Sequence, residues 1–217
     1  MAKAKQATLS TLSFDLTAAT GLGLLAGIFA AIVAANLGFL NQTFFGITLS
    51  WLIIIIGFTL LCMVGIIVGR FLGKFVPFLY NFVKFGEAGG LNWLVDMGIV
   101  NLLILFTGFS AGLYFVIFKG VSFTLAATNS FFWNKLWVFR GSAKQKEGKE
   151  ITKFVIATAL GLVVNVTLAY IVSLVGPTLI ADVAEKVWAN YATIFGSLSA
   201  MLFNFVLYKV WVFKADK

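Results

Sequence analysis

A chain of 217 residues with 61% hydrophobic and 11% charged side chains is too apolar for a soluble domain, in which roughly a quarter of residues are charged. Its net charge of +8 does not signal nucleic acid: all Lys and Arg except Lys119 and Lys186 sit in tails or on alternate connections between apolar runs, the pattern of basic cytoplasmic loops in a membrane protein. Histidine is absent and cysteine occurs once, so an internal disulfide is excluded and the usual metal-ligand and nucleophile–base sets are missing.

Six windows, near 17–39, 46–69, 86–108, 112–138, 153–175 and 189–213, reach the roughly 20 apolar residues that a spanning helix needs. Backbone groups must be paired internally in lipid, and these runs are too long for barrel strands. The expected fold is an all-α membrane protein with six transmembrane helices. An even number of spans, with basic alternate loops, places both termini in the cytoplasm. Lys3 and Lys5 precede the first run as in a signal peptide, but the run is longer than a cleaved apolar segment and is expected to be retained.

The first two spans form an N-terminal hairpin over 1–69. Gly23, Gly27, Ala31 and Ala35 recur every four residues and form a small-residue stripe, suited to packing on the second helix or on a second copy of the chain. Helix 2 carries Ile53–Ile56 and no charge, which suits a lipid-facing anchor, and Cys62 is expected to be a small apolar residue of it. Over 70–85, Phe71, Phe75, Phe78, Phe82 and Phe85 share one helical face beside Arg70, Lys74 and Lys84. This predicts an amphipathic helix in the membrane interface, kinked or split at Pro77. Glu87 is placed to pair with Lys84.

The rest of the chain repeats itself. Lys135-Leu136-Trp137-Val138-Phe139-Arg140 returns as Lys209-Val210-Trp211-Val212-Phe213-Lys214, Lys84-Phe85 aligns with Lys153-Phe154, and Asp96 aligns with Asn165. Two hairpins, 86–140 and 153–217, are therefore expected as parallel repeats, joined by a basic cytoplasmic loop over 141–152 with Lys144, Lys146 and Lys149. That loop is either a linker or a docking site for acidic headgroups.

These residues resemble the GtrA-like family of small membrane proteins. The resemblance rests on Phe85, Gly89-Gly90-Leu91-Asn92 and Asp96, then Lys119 and the Asn129–Phe139 ending, then Phe154, Asn165, Asn204-Phe205 and the Lys209–Phe213 ending. It covers about residues 82–214. Residues 1–80 lie outside it, since the family typically has four spans; Glu87 stands where an apolar residue is usual, and Ser130 where an asparagine is usual. The resemblance implies handling of a polyprenyl-phosphate-linked monosaccharide, flipped across or handed over at the cytoplasmic membrane for cell-surface polysaccharide glycosylation. It further implies work beside a membrane glycosyltransferase. Moving such a lipid needs no covalent chemistry, in line with the missing histidine and nucleophile–base sets, so no enzyme activity, cofactor or metal is expected.

A charge at mid-bilayer costs about 2.5–3.5 kcal/mol, so each buried polar residue needs a reason. With helix 3 starting near Gly86, Asp96 is expected about 15 Å deep, and Lys119 about 27 Å from Trp137. Either the two form a structural pair, with Lys119 alternatively snorkelling outward, or they line a cleft in which Lys119 meets phosphate and Asp96 meets sugar hydroxyls. Asn92, one turn before Asp96, and Asn165 are sugar-binding candidates, because an amide both donates and accepts. Asn129 and Asn204 are either further contacts or interhelical bridges. Lys135 and Lys209 serve as headgroup anchors or as a phosphate gate, while Trp137, Arg140, Trp211 and Lys214 are expected as interfacial anchors.

The expected partners are the polyprenyl-phosphate sugar, anionic lipids, a membrane glycosyltransferase and a second copy of the chain, with no nucleic acid. Two other functions suit the same residues. One is a non-transporting scaffold that anchors a polyprenyl-phosphate glycosyltransferase; the other is a small-cation or drug exporter using Asp96 as its coupling carboxylate.

Overall fold

The computed structural model describes residues 2–138, 148–180 and 182–207. Among these described residues six α-helices follow one another: α1 (Ala2–Leu37), α2 (Trp51–Leu72), α3 (Pro77–Thr107), α4 (Gly112–Trp133), α5 (Gly148–Leu179) and α6 (Glu185–Leu207). A small hairpin of β1 (Thr43–Phe44) and β2 (Ile47–Thr48) joins α1 to α2, and a π-helical turn, Asn134–Val138, extends α4. The chain is an all-α membrane protein: among the described residues, Leu12–Leu37, Trp51–Leu72, Leu79–Thr107, Gly112–Val138 and Val155–Leu179 are long and apolar enough to cross a bilayer. At 23 residues α6 has the length, about 34 Å, but carries a polar row. Two compact units are formed, Met1–Val95 with Thr128–Gly141, and Asp96–Ala127 with Ser142–Lys217.

In the first unit, α1 ends in a Schellman motif. Gly38 takes φ 78°, its N–H bonds the Ala35 carbonyl at 3.1 Å, and the Phe39 N–H bonds Ala34 at 2.8 Å. Two residues with positive φ, Phe45 and Gly46, make the tight turn that the twist of a two-stranded hairpin requires. Ser50 then caps α2 by accepting the Ile53 N–H at 3.3 Å. The small-residue stripe of α1 is spent on α2: a Cβ at Gly23 would lie 2.6 Å from the Thr59 Cα, and one at Gly27 would lie 2.5 Å from the Ile55 Cα. This antiparallel backbone approach settles the use of the stripe within the chain, so Gly23 and Gly27 are not free to join a second copy. The other side of α2, including Ile53, Ile56, Leu60 and Ile67, is exposed as a lipid-facing anchor would be, and Cys62 is a buried free thiol.

The separate interfacial helix over 70–85 is not formed. Arg70–Leu72 close α2, Gly73–Val76 turn, and Pro77 opens α3, which runs on without a break to Thr107. Proline suits a helix start because its missing N–H would have had no partner there. The phenylalanine stripe is accordingly split. Phe71 and Phe75 meet edge to face across the turn at 5.4 Å, while Phe82 and Phe85 are exposed on α3; the Phe78 side chain lies outside the described set.

In the second unit, α5 and α6 form an antiparallel hairpin whose contacts again depend on glycine. The Trp188 ring packs where a Cβ at Gly176 would be, and a Cβ at Gly196 would lie 2.6 Å from the Asn165 carbonyl oxygen. Val100, Ile104, Phe115, Phe118, Ala169, Ala189 and Ala192 make the apolar core. Around it, Lys186, Asn190, Thr193 and Ser197 fall on one face of α6. Asn190 and Thr193 are buried, which explains why α6 is less apolar than its neighbours: the middle of its polar row is satisfied inside the protein, while Lys186 is exposed.

Candidate functional site

Asp96 is the centre of the second unit's polar interior. Measured from the α3–α4 turn, it lies eleven residues before Thr107 and Lys119 lies seven after Gly112, about 16 and 10 Å along their helices. The lysine stem covers that offset. Its ammonium donates to both Asp96 oxygens, at 2.8 Å to Oδ1 and 2.7 Å to Oδ2. The hydroxyls of Ser122 on α4 and Ser197 on α6 donate at 2.5 Å to Oδ1 and Oδ2 respectively. Four hydrogen bonds from three side chains thus fill the four acceptor sites of one carboxylate, and Lys119 and Ser122 are completely buried. A buried charge pair is stable when its remaining lone pairs are satisfied in this way.

Asn165 joins the cluster through Ser197. Its Nδ2 reaches the Ser197 Oγ at 3.5 Å, the outer limit for such a bond, while its Oδ1 is buried with no hydrogen-bond partner. The second repeat therefore leaves an open acceptor beside the charge pair of the first. Gly196 lets α6 pass close to that acceptor, since a Cβ there would stand 3.2 Å from it.

Other interior bonds of this unit escape periodicity analysis. Asn101 and Asn190 exchange both side-chain hydrogen bonds, at 2.7 and 3.0 Å, and tie α3 to α6. Ser110 donates to Glu185 at 2.8 Å. A polar residue on the same face of α6 as Ser197 was the available sign of Asn190; Ser122 and Ser197 gave none, because a lone serine in an apolar helix more often bonds its own backbone.

The remaining candidates fall elsewhere. Asn92 and Asn129 belong to the first unit. The Asn92 Oδ1 and the Asn129 Nδ2 have no partner, and the Asn129 Oδ1 accepts the Trp133 indole N–H at 3.1 Å. Trp137 is not an exposed belt residue: it is 1% exposed and donates its indole N–H to Asp15 at 2.9 Å. Lys84 does not pair with Glu87 but with Asp15, at 2.9 Å, and both Glu87 oxygens are buried without a hydrogen-bond partner, Oε1 against Gly65. Asp15 was overlooked because it precedes the expected start of the first span; α1 is helical well before it. The side chains of Lys135 and Asn204, and all of Arg140, Lys209, Trp211 and Lys214, lie outside the described residues, as does most of the 141–152 loop.

The family described as GtrA/DPMS, transmembrane domain, matches residues 84–213, more than half of the chain. No curated protein and no solved structure matches it.

Proposed function

Because this chain belongs to the GtrA/DPMS transmembrane-domain family, we propose that it flips, or hands over, a polyprenyl-phosphate-linked monosaccharide across the cytoplasmic membrane. Membership makes it a membrane protein of polyprenyl-phosphate sugar handling; movement of the sugar is the further step. The observation that carries it is the charge-neutral Asp96–Lys119 pair, buried beside the unpartnered Oδ1 of Asn165.

In this scheme the resting pair keeps both charges compensated in lipid. An entering phosphate takes the Lys119 ammonium, exchanging one anion for another without leaving the cation bare. Asp96, released from the lysine but still held by Ser122 and Ser197, accepts sugar hydroxyls together with the Asn165 Oδ1. The polyprenyl tail stays in the bilayer, and no covalent bond is made or broken.

One observation favours the scaffold instead: every acceptor site on Asp96 is already filled from within the chain. Reconstitution into liposomes with a radiolabelled polyprenyl-phosphate hexose separates the two. Movement by the unaltered protein should fall at least tenfold in Asp96→Asn and in Lys119→Met, with both variants still folded. No movement by the unaltered protein, with a glycosyltransferase still bound, would leave the scaffold.

A further inference from the structure

A second polar centre lies in the first unit and is built to hold an anion. The two oxygens of Asp15 on α1 receive three donors from other parts of the chain. Lys84 and the Trp137 indole N–H each bond Oδ1 at 2.9 Å, and the Tyr80 hydroxyl bonds Oδ2. The Lys84 ammonium also stands over the Trp137 ring, 5.1 Å from its centroid, and over the Tyr80 ring at 5.6 Å. Arg70 lies close enough to the same tyrosine to act on it electrostatically. Asp15, Lys84 and Trp137 are each under a tenth exposed. The π-helical turn Asn134–Val138 carries Trp137, and such turns are frequent at functional sites.

Two features set this centre apart from a plain structural ion pair. The first is origin. Lys84 and Trp137 lie within the span that matches the family, whereas the carboxylate comes from α1, outside it. The anion filling the site thus comes from outside the matched span, as does the Tyr80 hydroxyl, while the cation and the indole come from within it. The second is setting. Each of the three residues lies within two turns of the end of its membrane-spanning stretch. Directly alongside runs an apolar groove lined by Phe14, Ala18, Phe132, Trp133, Leu136 and Trp137.

We infer that Lys84, Tyr80 and Trp137 form a receptor for a phosphate carried on a long apolar chain, with Asp15 occupying it as an internal competitor. A phosphate offers the oxygens that the three donors now find on the carboxylate, and its bond to Lys84 is charge-assisted in the same way. The groove beside Trp137 takes the first part of the chain. Binding requires Asp15 to leave, so α1 sets how readily the lipid is captured. The inference rests on the polyprenyl-phosphate reading above, and adds where the phosphate is first held and what holds that place beforehand.

The test is retention of radiolabelled undecaprenyl phosphate by the full chain in nanodiscs of phosphatidylcholine. Asp15→Asn removes the competing charge at nearly constant size and should bind at least tenfold more tightly than the unaltered protein. Lys84→Met strands the Asp15 charge, so the neutral pair Asp15→Asn/Lys84→Met is the second variant; it should lose at least tenfold relative to Asp15→Asn. The inference is overturned if Asp15→Asn binds no more tightly, if the double variant binds as well as Asp15→Asn, or if inorganic phosphate displaces the lipid at equal concentration. Retention that follows Lys119 and ignores Lys84 sinks the inference and leaves the proposed function standing. No retention by any variant sinks both.

Discussion

Asp96 and Asn165 stand at matching positions of the two repeats, and one hydroxyl, that of Ser197, touches both. Duplication alone would give two equivalent polar points. The chain instead holds a carboxylate with a lysine at one and a neutral amide at the other, so the two repeats contribute different chemistry to one cluster. A charge pair resists lipid well only as a unit, and a second one would double the desolvation to be offset.

That coupling is measurable. Lys119→Met leaves a buried carboxylate without its cation and should cost about 3–5 kcal/mol. The combined Asp96→Asn/Lys119→Met, which removes both charges, should recover most of that loss. Unfolding in mixed detergent–SDS micelles reads the three variants; a Lys119→Met protein as stable as the unaltered one would mean that the pair does not hold the unit together.

Asn165 offers the opposite signature. Its Oδ1 is an unsatisfied buried acceptor, and removing such a group is close to neutral or stabilising. Asn165→Leu should therefore fold as well as the unaltered chain yet move the lipid-linked sugar at least tenfold more slowly. Unchanged transport in this variant would take Asn165 out of the substrate path.

The reciprocal amide pair of Asn101 and Asn190 is structural in this account, since each amide already bonds the other. A double-mutant cycle with Asn101→Ala and Asn190→Ala should give a coupling of about 1 kcal/mol, the usual worth of an interhelical side-chain bond in a membrane. Transport should follow stability here, with no separate loss.

Close packing of α1 on α2 predicts a sharp contrast between neighbouring glycines. Gly27→Val collides with backbone at Ile55 and should destabilise by roughly 1–3 kcal/mol, or force the helices apart. Gly21→Ala has open space and should be neutral. Thermal unfolding in detergent distinguishes them, and equal effects would argue against this register.

Much of the interior was foreseeable from residue type, and the misses share a cause. A charged residue in an apolar run must be explained, so Asp96 and Lys119 stood out in the chain. Their partners Ser122 and Ser197 did not, because serine in a membrane helix is ordinary until its neighbour is known. Trp137 has the composition of a belt residue and the position of a buried donor. Pro77 marks a break in helical pattern either way; only the actual end of α2 at Leu72 makes it the first residue of α3 and not a kink.

The sequence by itself determined the solvent. Sixty-one per cent hydrophobic residues, long apolar runs and basic residues on alternate connections require membrane helices, because lipid leaves backbone groups no other partners. It also determined the duplication and the small-residue stripe, both of which are periodic and need no partner to be seen. Tertiary structure alone decided which polar groups meet: Asp15 with Lys84 and Trp137, Asp96 with Lys119, Ser122 and Ser197. Those pairings span up to 122 residues of chain, and they depend on how far each helix extends and how it is rotated. A hydrogen bond depends on tenths of an ångström, whereas a hydrophobic run constrains a helix end only to within a turn or two.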